Sequence, residues 1–189
     1  MKPIRVAWLL LAIALVLQWA LPASLAARSE YVLRNGARYY LRTAPVDPVD
    51  AFRGRYVALQ FADIEVALPA HANWPVGTRV AVPLSVGADH FARFGVPSLE
   101  APNRHDYLYA KIASLSANHR ATLRLPFDRY YLNEQLAPAA ERAYREANTN
   151  GRATTAYVSI RVRAGDAVLE ELFIDDLPVR RYLDARSSP

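Results

Sequence analysis

The residues best suited to chemistry lie between Pro45 and Phe61, where aspartates and arginines are concentrated around one glycine. Asp47 and Asp50 have the spacing of a carboxylate pair that could carry out general acid–base work. Aspartate beside proline, however, is first of all a turn former. The nearest basic partner in sequence is Arg53, so the pattern favours a structural Asp–Arg ion pair. We therefore expect no catalytic residue in this stretch.

A serine–lysine pair is the sharpest enzymatic alternative, in the manner of a membrane-anchored signal peptidase. Its general base would have to be Lys111, because Lys2 is the only other lysine. Its nucleophile would be Ser24 or Ser29, close to the N-terminal apolar segment. A lysine base needs a desolvated pocket, and the Ser-Met-x-Pro setting of such enzymes is missing. The alternative is an envelope hydrolase that uses Lys111 or the Asp47/Asp50 pair.

Metal ligation has little support in the sequence. The chain contains no cysteine, which excludes disulfides and Cys-ligated zinc. The pairs Asp89-His90 and His105-Asp106 are candidate ligands, but the four histidines are scattered through loop-like sequence without helical i, i+4 spacing. Ordinary loop residues explain these pairs better, so we expect no metal site and no cofactor.

The first element that must position these residues is N-terminal. Val6–Ala27 contains no charged residue, and a helix of that length spans the roughly 30 Å hydrocarbon core of a bilayer. Lys2 and Arg5 precede the run and favour a cytoplasmic N-terminus. We therefore divide the chain into a transmembrane anchor, residues 1–27, and an extracytoplasmic domain, residues 28–189.

A cleaved signal peptide is the competing interpretation of the same segment. Ser24-Leu25-Ala26 provides small residues at plausible cleavage positions, and Pro22 precedes them. The apolar run is longer than the usual apolar region of a signal peptide, which favours an anchor. Either interpretation places residues 28–189 outside the cytoplasm.

The remaining sequence alternates like a β-rich domain. Tyr56–Phe61 predicts one strand, with its apolar side chains at alternate positions on one face. Asp106–Ser116 predicts another, and Arg152–Arg163 with Val168–Ile174 predicts a hairpin. Gly87–Asn103 has the composition of a loop.

One soluble helix is expected after Asn133, which is a suitable N-cap, and it should stop near Asn148–Gly151. The polar tail Arg180–Pro189 is expected to fray. The predicted fold class is α+β, mostly antiparallel β with one soluble helix, preceded by a single N-terminal transmembrane helix.

The net charge and the aromatic content indicate which classes of partner the domain could bind. The net charge of +5 is spread along the chain without the basic clusters of a nucleic-acid footprint, so we expect no nucleic-acid partner. The eleven tyrosines could form a contact face for carbohydrate or protein, or they could pack across strands. Cross-strand packing is the better explanation, and the residues to inspect are Tyr39, Tyr40, Tyr107, Tyr109, Tyr130 and Tyr131.

The Pro45–Phe61 stretch resembles the signature of the GDYXXLXY family of small bacterial membrane-anchored proteins. That signature places a Pro-x-Asp-Pro segment before Arg-Gly-Asp-Tyr, followed by Leu and Tyr at fixed spacing. The sequence departs at Arg55, where the family has Asp, and at Phe61, where it has Tyr. The matching residues are Pro45, Asp47, Pro48, Asp50, Arg53, Gly54, Tyr56 and Leu59. The segment 130–134 and the Leu-Phe-Ile-Asp-Asp end of the last hairpin also resemble the family layout.

The resemblance implies a single-pass protein of the bacterial inner membrane, with a mostly β domain facing the periplasm. It also implies that the protein associates with a polytopic membrane protein. Together with the missing catalytic constellation, it leads to a functional hypothesis: a non-catalytic accessory or interaction module for an integral membrane partner. A ligand-binding periplasmic module remains a further alternative, and it requires a pocket of several hundred Å³ lined by tyrosines.

Overall fold

The computed structural model describes residues 3–45, 56–103, 106–116, 118–149 and 156–187. Its helices are α1 (Pro3–Asn35), α2 (Ala137–Thr149) and α3 (Val179–Ser187). Its strands are β1 (Ala37–Ala44), β2 (Tyr56–Ala58), β3 (Gln60–Phe61), β4 (Glu65–Ala67), β5 (Arg79–Val86), β6 (Ala92–Phe94), β7 (Tyr107–Ser116), β8 (Arg120–Arg124), β9 (Arg129–Tyr131), β10 (Ala156–Arg163), β11 (Asp166–Ile174) and β12 (Leu177–Pro178).

Helix α1 is apolar over most of its length. By length and composition, Leu10–Asn35 is suited to crossing a membrane, and an 18-residue window within it has a mean hydropathy of 2.0. Side chains from position 10 to position 31 are all exposed, and Val32 is the first that the domain buries, at 2% exposure. The helix thus continues past the apolar run and packs only its last turns on the domain.

The helix ends at Asn35, and Asn35-Gly36 is a dipeptide typical of turns. The Gly36 amide donates a hydrogen bond to the Val32 carbonyl at 2.8 Å. A Cβ at Gly36 would lie 2.6 Å from that carbonyl oxygen and 3.0 Å from backbone atoms of Val162. Glycine is therefore the residue that lets the chain turn tightly against β10 and enter β1.

Two five-stranded sheets form the body of the domain. One has the order β12-β11-β10-β1-β3, the other the order β4-β8-β7-β5-β6, and β2 pairs with β9 separately. All strand pairs in these sheets are antiparallel. Buried side chains from both sheets and from α2 belong to one hydrophobic cluster. The α+β, mostly antiparallel fold class is confirmed.

The predicted buried faces of β7 and β10 are confirmed, although Ser159 on the other face of β10 is buried as well. In β7, Leu108 and Ile112 are buried while Lys111 faces solvent. In β10, Val158 and Ile160 are fully buried. Strands β10 and β11 form the predicted hairpin, since they pair along their whole lengths around the turn. A period of two therefore identified the core face of both strands.

The prediction of one continuous strand at Tyr56–Phe61 is wrong in one respect. Val57, Leu59 and Phe61 are all buried, as the alternation indicates. The segment nevertheless splits into β2, which pairs with β9, and β3, which pairs with β1. At the break, the Leu59 amide donates to the Asp128 carbonyl at 2.9 Å. Alternation records which face is buried, but it does not record which strand is the neighbour.

Two other expectations need correction. The predicted loop 87–103 contains β6, which pairs with β5. The tail that was expected to fray forms α3, because Val179 is fully buried and Tyr182 and Leu183 pack against the core. The domain therefore has a second soluble helix besides α2. The apolar face of α3 consists of residues spaced three to four apart. It is short and has arginines on both sides in the sequence, so the apolar periodicity is weak.

Helix α2 begins later than Asn133. The Asn133 side chain accepts a hydrogen bond from the Gln135 amide at 3.0 Å, and its carbonyl accepts from Leu136 and Ala137. Asn133 thus organises a turn that leads into the helix at Ala137. Pro138 falls in the first turn, where its missing N–H costs little.

Candidate functional site

The signature residues divide between described and undescribed parts of the chain. Pro45, Tyr56, Leu59 and Phe61 lie in described segments. Outside the described residues lie Asp47, Pro48, Asp50, Arg53, Gly54 and Arg55, so the expected Asp–Arg pair, the acid–base alternative and the effect of Arg55 stay predictions.

The described signature residues pack rather than form a reactive cluster. Tyr56 contacts Tyr131 edge to face, with ring centroids 5.8 Å apart, and the Arg129 guanidinium lies 4.9 Å from the Tyr56 ring centroid. Phe61 packs edge to face on Phe127 at 5.6 Å. A tyrosine at position 61 would put a hydroxyl at a site that is only 9% exposed. The Phe61 departure from the family signature is therefore compatible with a packing role.

A different group of residues lines a cavity of about 440 Å³ between the end of α1 and the sheet that contains β7. Its walls come from α1, from strands β5, β7 and β8, and from the β10–β11 turn. Four cationic side chains and one carboxylate line it: Arg28, Arg79, Lys111, Arg124 and Asp166. The cavity therefore carries a strong excess of positive charge.

Three of these cations form a row across adjacent strands. In the β-sheet register, Arg79 of β5 lies opposite Lys111 of β7, and Lys111 lies opposite Arg124 of β8. All three are exposed on the face opposite the buried core. Directly opposed side chains have Cβ atoms about 4.5–5.5 Å apart, and like charges placed there are destabilising. Lys111, with a cation on either side, bears this repulsion twice.

Elsewhere in the domain, neighbouring arginines share carboxylates. Glu170 accepts hydrogen bonds from Arg38 at 2.8 Å and from Arg161 at 3.0 Å. Burial by itself raises the pKa of Glu170, but the two guanidinium partners outweigh it and the net pKa is lowered. The cationic row has no such carboxylate between its members among the described residues.

A second cluster shows the same alternation of signs. Arg93 contacts Asp63 at 2.9 Å and Asp89 at 2.7 Å, and Arg42 contacts the same two aspartates. Burial raises the pKa of Asp89, yet the Phe91 amide and the two arginines lower it by more. The chain thus possesses carboxylates that neutralise arginines, but it places them away from the cationic row.

Another wall of the cavity is formed by the β10–β11 turn. Arg28 of α1 makes a two-pronged ion pair with Asp166, with donor–acceptor distances of 2.6 and 2.9 Å. The neighbouring Gly165 accepts a hydrogen bond from the Tyr109 amide at 2.9 Å. The Arg79 guanidinium stacks 3.7 Å from the Tyr109 ring centroid. These contacts join α1, the hairpin turn and β7 around one space.

Two residues of the serine–lysine alternative lie at this same cavity. Ser29 and Lys111 both line it, whereas the Ser24 hydroxyl donates to the Leu21 carbonyl at 2.7 Å within α1. Among the described residues no hydrogen bond joins Ser29 to Lys111, and Lys111 is exposed. The arrangement brings the two residue types together without the burial that a lysine base requires.

The tyrosines mostly pack across strands. Tyr157 stacks on Phe173 at 4.9 Å, and Tyr40 meets both rings edge to face. Burial and the hydrogen bond to Asp176 raise the pKa of Tyr157 to about 12. A second cavity, of about 220 Å³, lies beside this stack and is lined by Tyr40, Asp89, His90, Phe91, Tyr157 and Asp176. The ligand-binding alternative requires a tyrosine-lined pocket, and this one has a small volume. The 440 Å³ cavity is larger, but Tyr109 is the one tyrosine among its described lining residues.

Two further tyrosines from the inspected set donate to carboxylates. Tyr39 donates to Asp106 at 2.8 Å, and burial together with this bond raises the pKa of Tyr39 to about 12. Tyr130 donates to Glu171, and its pKa is raised chiefly by burial and then by that bond. In the described segments, which do not include His105, no group of three or more histidines and carboxylates is placed to hold a metal ion.

The cationic row was missed by reasoning from sequence. Arg79, Lys111 and Arg124 are far apart in the chain, and each looks like an ordinary exposed position of an alternating strand. The signal that could have found them is the pairing register, which requires knowing that β5 and β8 flank β7.

A family model described as GDYXXLXY protein matches residues 18–172, which is most of the chain. No curated protein and no solved structure matches the chain significantly.

Proposed function

Taking as premise that the chain belongs to the GDYXXLXY family, we propose that it is a single-pass inner-membrane protein with its β-rich domain in the periplasm. We further propose that the domain acts as a non-catalytic accessory module for an integral membrane partner. The observation that carries the proposal is the apolar part of α1, which no described part of the chain covers.

The exposed apolar surface of α1 supports membrane anchoring. Between positions 10 and 31 every side chain is exposed, including Leu10 at 61% and Trp19 at 75%. Burying an apolar side chain of this size is worth about 1.5–3 kcal/mol, so a helix of this composition is strongly unfavourable in water. A bilayer is the environment that removes the whole surface from water at once.

Orientation is testable with cysteine labelling, because the chain has no cysteine of its own. Ala88→Cys places a thiol in an exposed turn of the domain, and a cysteine tag before Met1 reports the other side. We expect a membrane-impermeant maleimide to label the Ala88→Cys variant in intact spheroplasts and the tag only after lysis. The reverse pattern would contradict the periplasmic placement.

The accessory role is tested by recovering the partner. The full-length chain, tagged after Pro189 and crosslinked in membranes before detergent extraction, is expected to yield one polytopic membrane protein at a reproducible stoichiometry. The matched control replaces residues 8–27 with an unrelated apolar helix of the same length. Retention of the partner by the control assigns recognition to the domain, and loss assigns it to the helix. Repeated recovery of no membrane protein would count against the proposal.

The enzymatic alternative is kept because Ser29 and Lys111 share a cavity. It predicts that the purified full-length chain hydrolyses peptides in lipid, and that Ser29→Ala and Lys111→Ala each abolish hydrolysis. The accessory proposal predicts that no peptide is cleaved and that both variants still recover the partner. Cleavage that survives in both variants would exclude the serine–lysine pair, and an Asp47→Asn/Asp50→Asn variant would then separate the carboxylate pair from a contaminating peptidase.

A further inference from the structure

The cationic row has a geometry that calls for an anion. Arg79, Lys111 and Arg124 occupy directly opposed positions on three neighbouring strands. No described carboxylate neutralises any of them, although Glu170 and Asp89 do so for other arginines. A sheet that brings like charges together leaves a standing repulsion, and a bound anion would remove it.

The cavity over the row has the walls of a site. Its volume is about 440 Å³, which is within the size range of small-molecule sites. The α1 wall is fixed by the paired hydrogen bonds from Arg28 to Asp166, and the turn wall by the Tyr109–Gly165 hydrogen bond. Asp166 is thereby occupied by Arg28, so it does not neutralise the row. The charge available to a ligand is that of three cations.

The types of cation favour phosphate. An arginine guanidinium presents N–H donors in a planar fork that matches two phosphate oxygens, and lysine adds a point charge. Stacking of Arg79 on Tyr109 uses the face of the guanidinium and leaves the N–H groups at its edge free to donate. The lysine, with one arginine on each side of it, can therefore bind a tetrahedral anion together with both arginines.

The position along α1 points to the source of that phosphate. The uncharged run ends at Ala27, and the cavity is lined by Arg28, Ser29 and Val32 of the next turn. With a rise of about 1.5 Å per residue, these three lie within about 8 Å of the end of the run. Headgroups occupy about 5–8 Å on each side of the hydrocarbon core. The α1 residues that line the cavity therefore lie at headgroup level when α1 spans a bilayer.

We propose that the cavity formed by Arg79, Lys111, Arg124 and the Arg28 turn of α1 binds the phosphate of an anionic phospholipid headgroup. The lipid source rests on the proposed membrane anchoring, whereas the phosphate chemistry does not. An anionic lipid such as phosphatidylglycerol is preferred over phosphatidylcholine, because the choline ammonium would meet the same three cations.

The lipid arm of the test uses the full-length chain in nanodiscs of phosphatidylcholine doped with phosphatidylglycerol. Native mass spectrometry then measures the lipid that stays bound to the released protein. We expect wild type to retain phosphatidylglycerol and Lys111→Gln/Arg124→Gln to retain about 25-fold less of it, since each basic side chain near an anionic surface contributes about fivefold. The matched control Arg142→Gln/Arg181→Gln removes the same charge from exposed positions outside the cavity and should retain the lipid.

The free-phosphate arm uses the same proteins, delipidated in a non-ionic detergent and titrated with inorganic phosphate. Thermal unfolding is the readout, because a ligand that binds the folded state raises the melting temperature. Phosphate should stabilise wild type and the control but leave Lys111→Gln/Arg124→Gln unchanged. Without phosphate, the cavity variant should melt no lower than wild type, since it loses a like-charge repulsion; this distinguishes lost binding from lost folding.

Each outcome decides a separate part of the proposal. Stabilisation by phosphate without selective lipid retention would overturn the lipid source and assign the cavity to a soluble phosphate. Equal lipid retention and equal phosphate response in the cavity variant and the control would overturn the site itself. Release of the chain from membranes by alkaline carbonate would contradict the anchor, while the phosphate response in detergent would still report on the cavity.

Discussion

Single residues show how differently the same side-chain type is used across this domain. Arg38 and Arg161 converge on Glu170 with distances of 2.8 and 3.0 Å. Arg79 instead faces Lys111 across the sheet without a carboxylate between them among the described residues. The first arrangement stabilises the fold, whereas the second costs a small amount of stability and leaves an excess of positive charge on the surface.

Glu170 gives the residue-scale prediction, which concerns pH. Its pKa in the folded state lies below the ordinary value of 4.5, so the stabilisation is complete above about pH 4.5 and is lost as the pH falls through the folded-state pKa. We expect Glu170→Gln to lower the free energy of unfolding at neutral pH and to flatten its decline in acid, measured by urea unfolding in micelles from pH 3 to 7. Glu100→Gln, at an exposed glutamate outside both ion-pair clusters, should keep the wild-type decline. A Glu170→Gln profile parallel to wild type would contradict the assignment.

Among the elements, the β10–β11 hairpin turn does more than reverse the chain. Gly165 has a φ of +87°, and a Cβ there would lie 2.5 Å from the Tyr109 ring and 2.7 Å from the Tyr107 ring. The turn therefore docks by its backbone on β7 of the other sheet, next to the cationic cavity. Only glycine satisfies both the positive φ and the close approach.

Gly165→Ala is the element-scale prediction, and Gly77→Ala is its matched control. Gly77 has a similar φ of +92°, but no atom lies within 4 Å of the position that an added methyl group would take. Its substitution should therefore cost only the strain of positive φ, about 1–2 kcal/mol. Gly165→Ala should cost a further 1–3 kcal/mol, roughly the penalty for overpacking. Urea unfolding of both variants in micelles measures the difference. Equal losses would show that the turn does not depend on its contact with Tyr109.

The same elements show how far sequence reasoning reached. Alternation identified the buried faces of β7 and β10 because a half-buried strand must alternate with period two. It could not divide Tyr56–Phe61 into β2 and β3, since both halves bury the same face but pair with strands distant in sequence. Helix α3 was not predicted, because its apolar residues, Val179 and Leu183 among them, are few and have charged residues around them in the sequence.

On the scale of the whole molecule, the proposed membrane span of α1 makes a prediction about the depth of its tryptophans. Trp19 lies nine residues before Arg28, about 13 Å along the helix axis, and Trp8 lies about 30 Å away. Trp74 belongs to the domain and packs against its core. If Arg28 marks one boundary of a hydrocarbon core of about 30 Å, Trp19 lies near the middle and Trp8 at the far boundary.

Tryptophan quenching tests this placement. In single-tryptophan variants of the full-length chain, lipids brominated at the acyl-chain end should quench Trp19 most, Trp8 less and Trp74 least. The variants replace the other two tryptophans with phenylalanine, and Trp74 serves as the internal control because it should report only the domain. Quenching of Trp74 as strong as that of Trp19, or no quenching of Trp19, would contradict the single-pass arrangement.

The sequence by itself determined the features that are local in the chain. Four features each depend on residues close in sequence: an uncharged run long enough for a membrane, the core faces of β7 and β10, the turn-forming Asn35-Gly36 pair and the family signature. Such features follow from helix length, period-two alternation and backbone preference.

Only the tertiary structure decided where the charges meet. Arg79, Lys111 and Arg124 become neighbours through antiparallel pairing of β5 with β7 and of β7 with β8, and Arg28 joins them because α1 packs its last turns beside the β10–β11 turn. Register and packing are set by burial of the opposite face, where Val80, Ile112 and Leu123 enter the core. Burial of the apolar side chains thereby fixes the positions of the cations on the exposed face. No local pattern in the sequence indicates that these cations are neighbours.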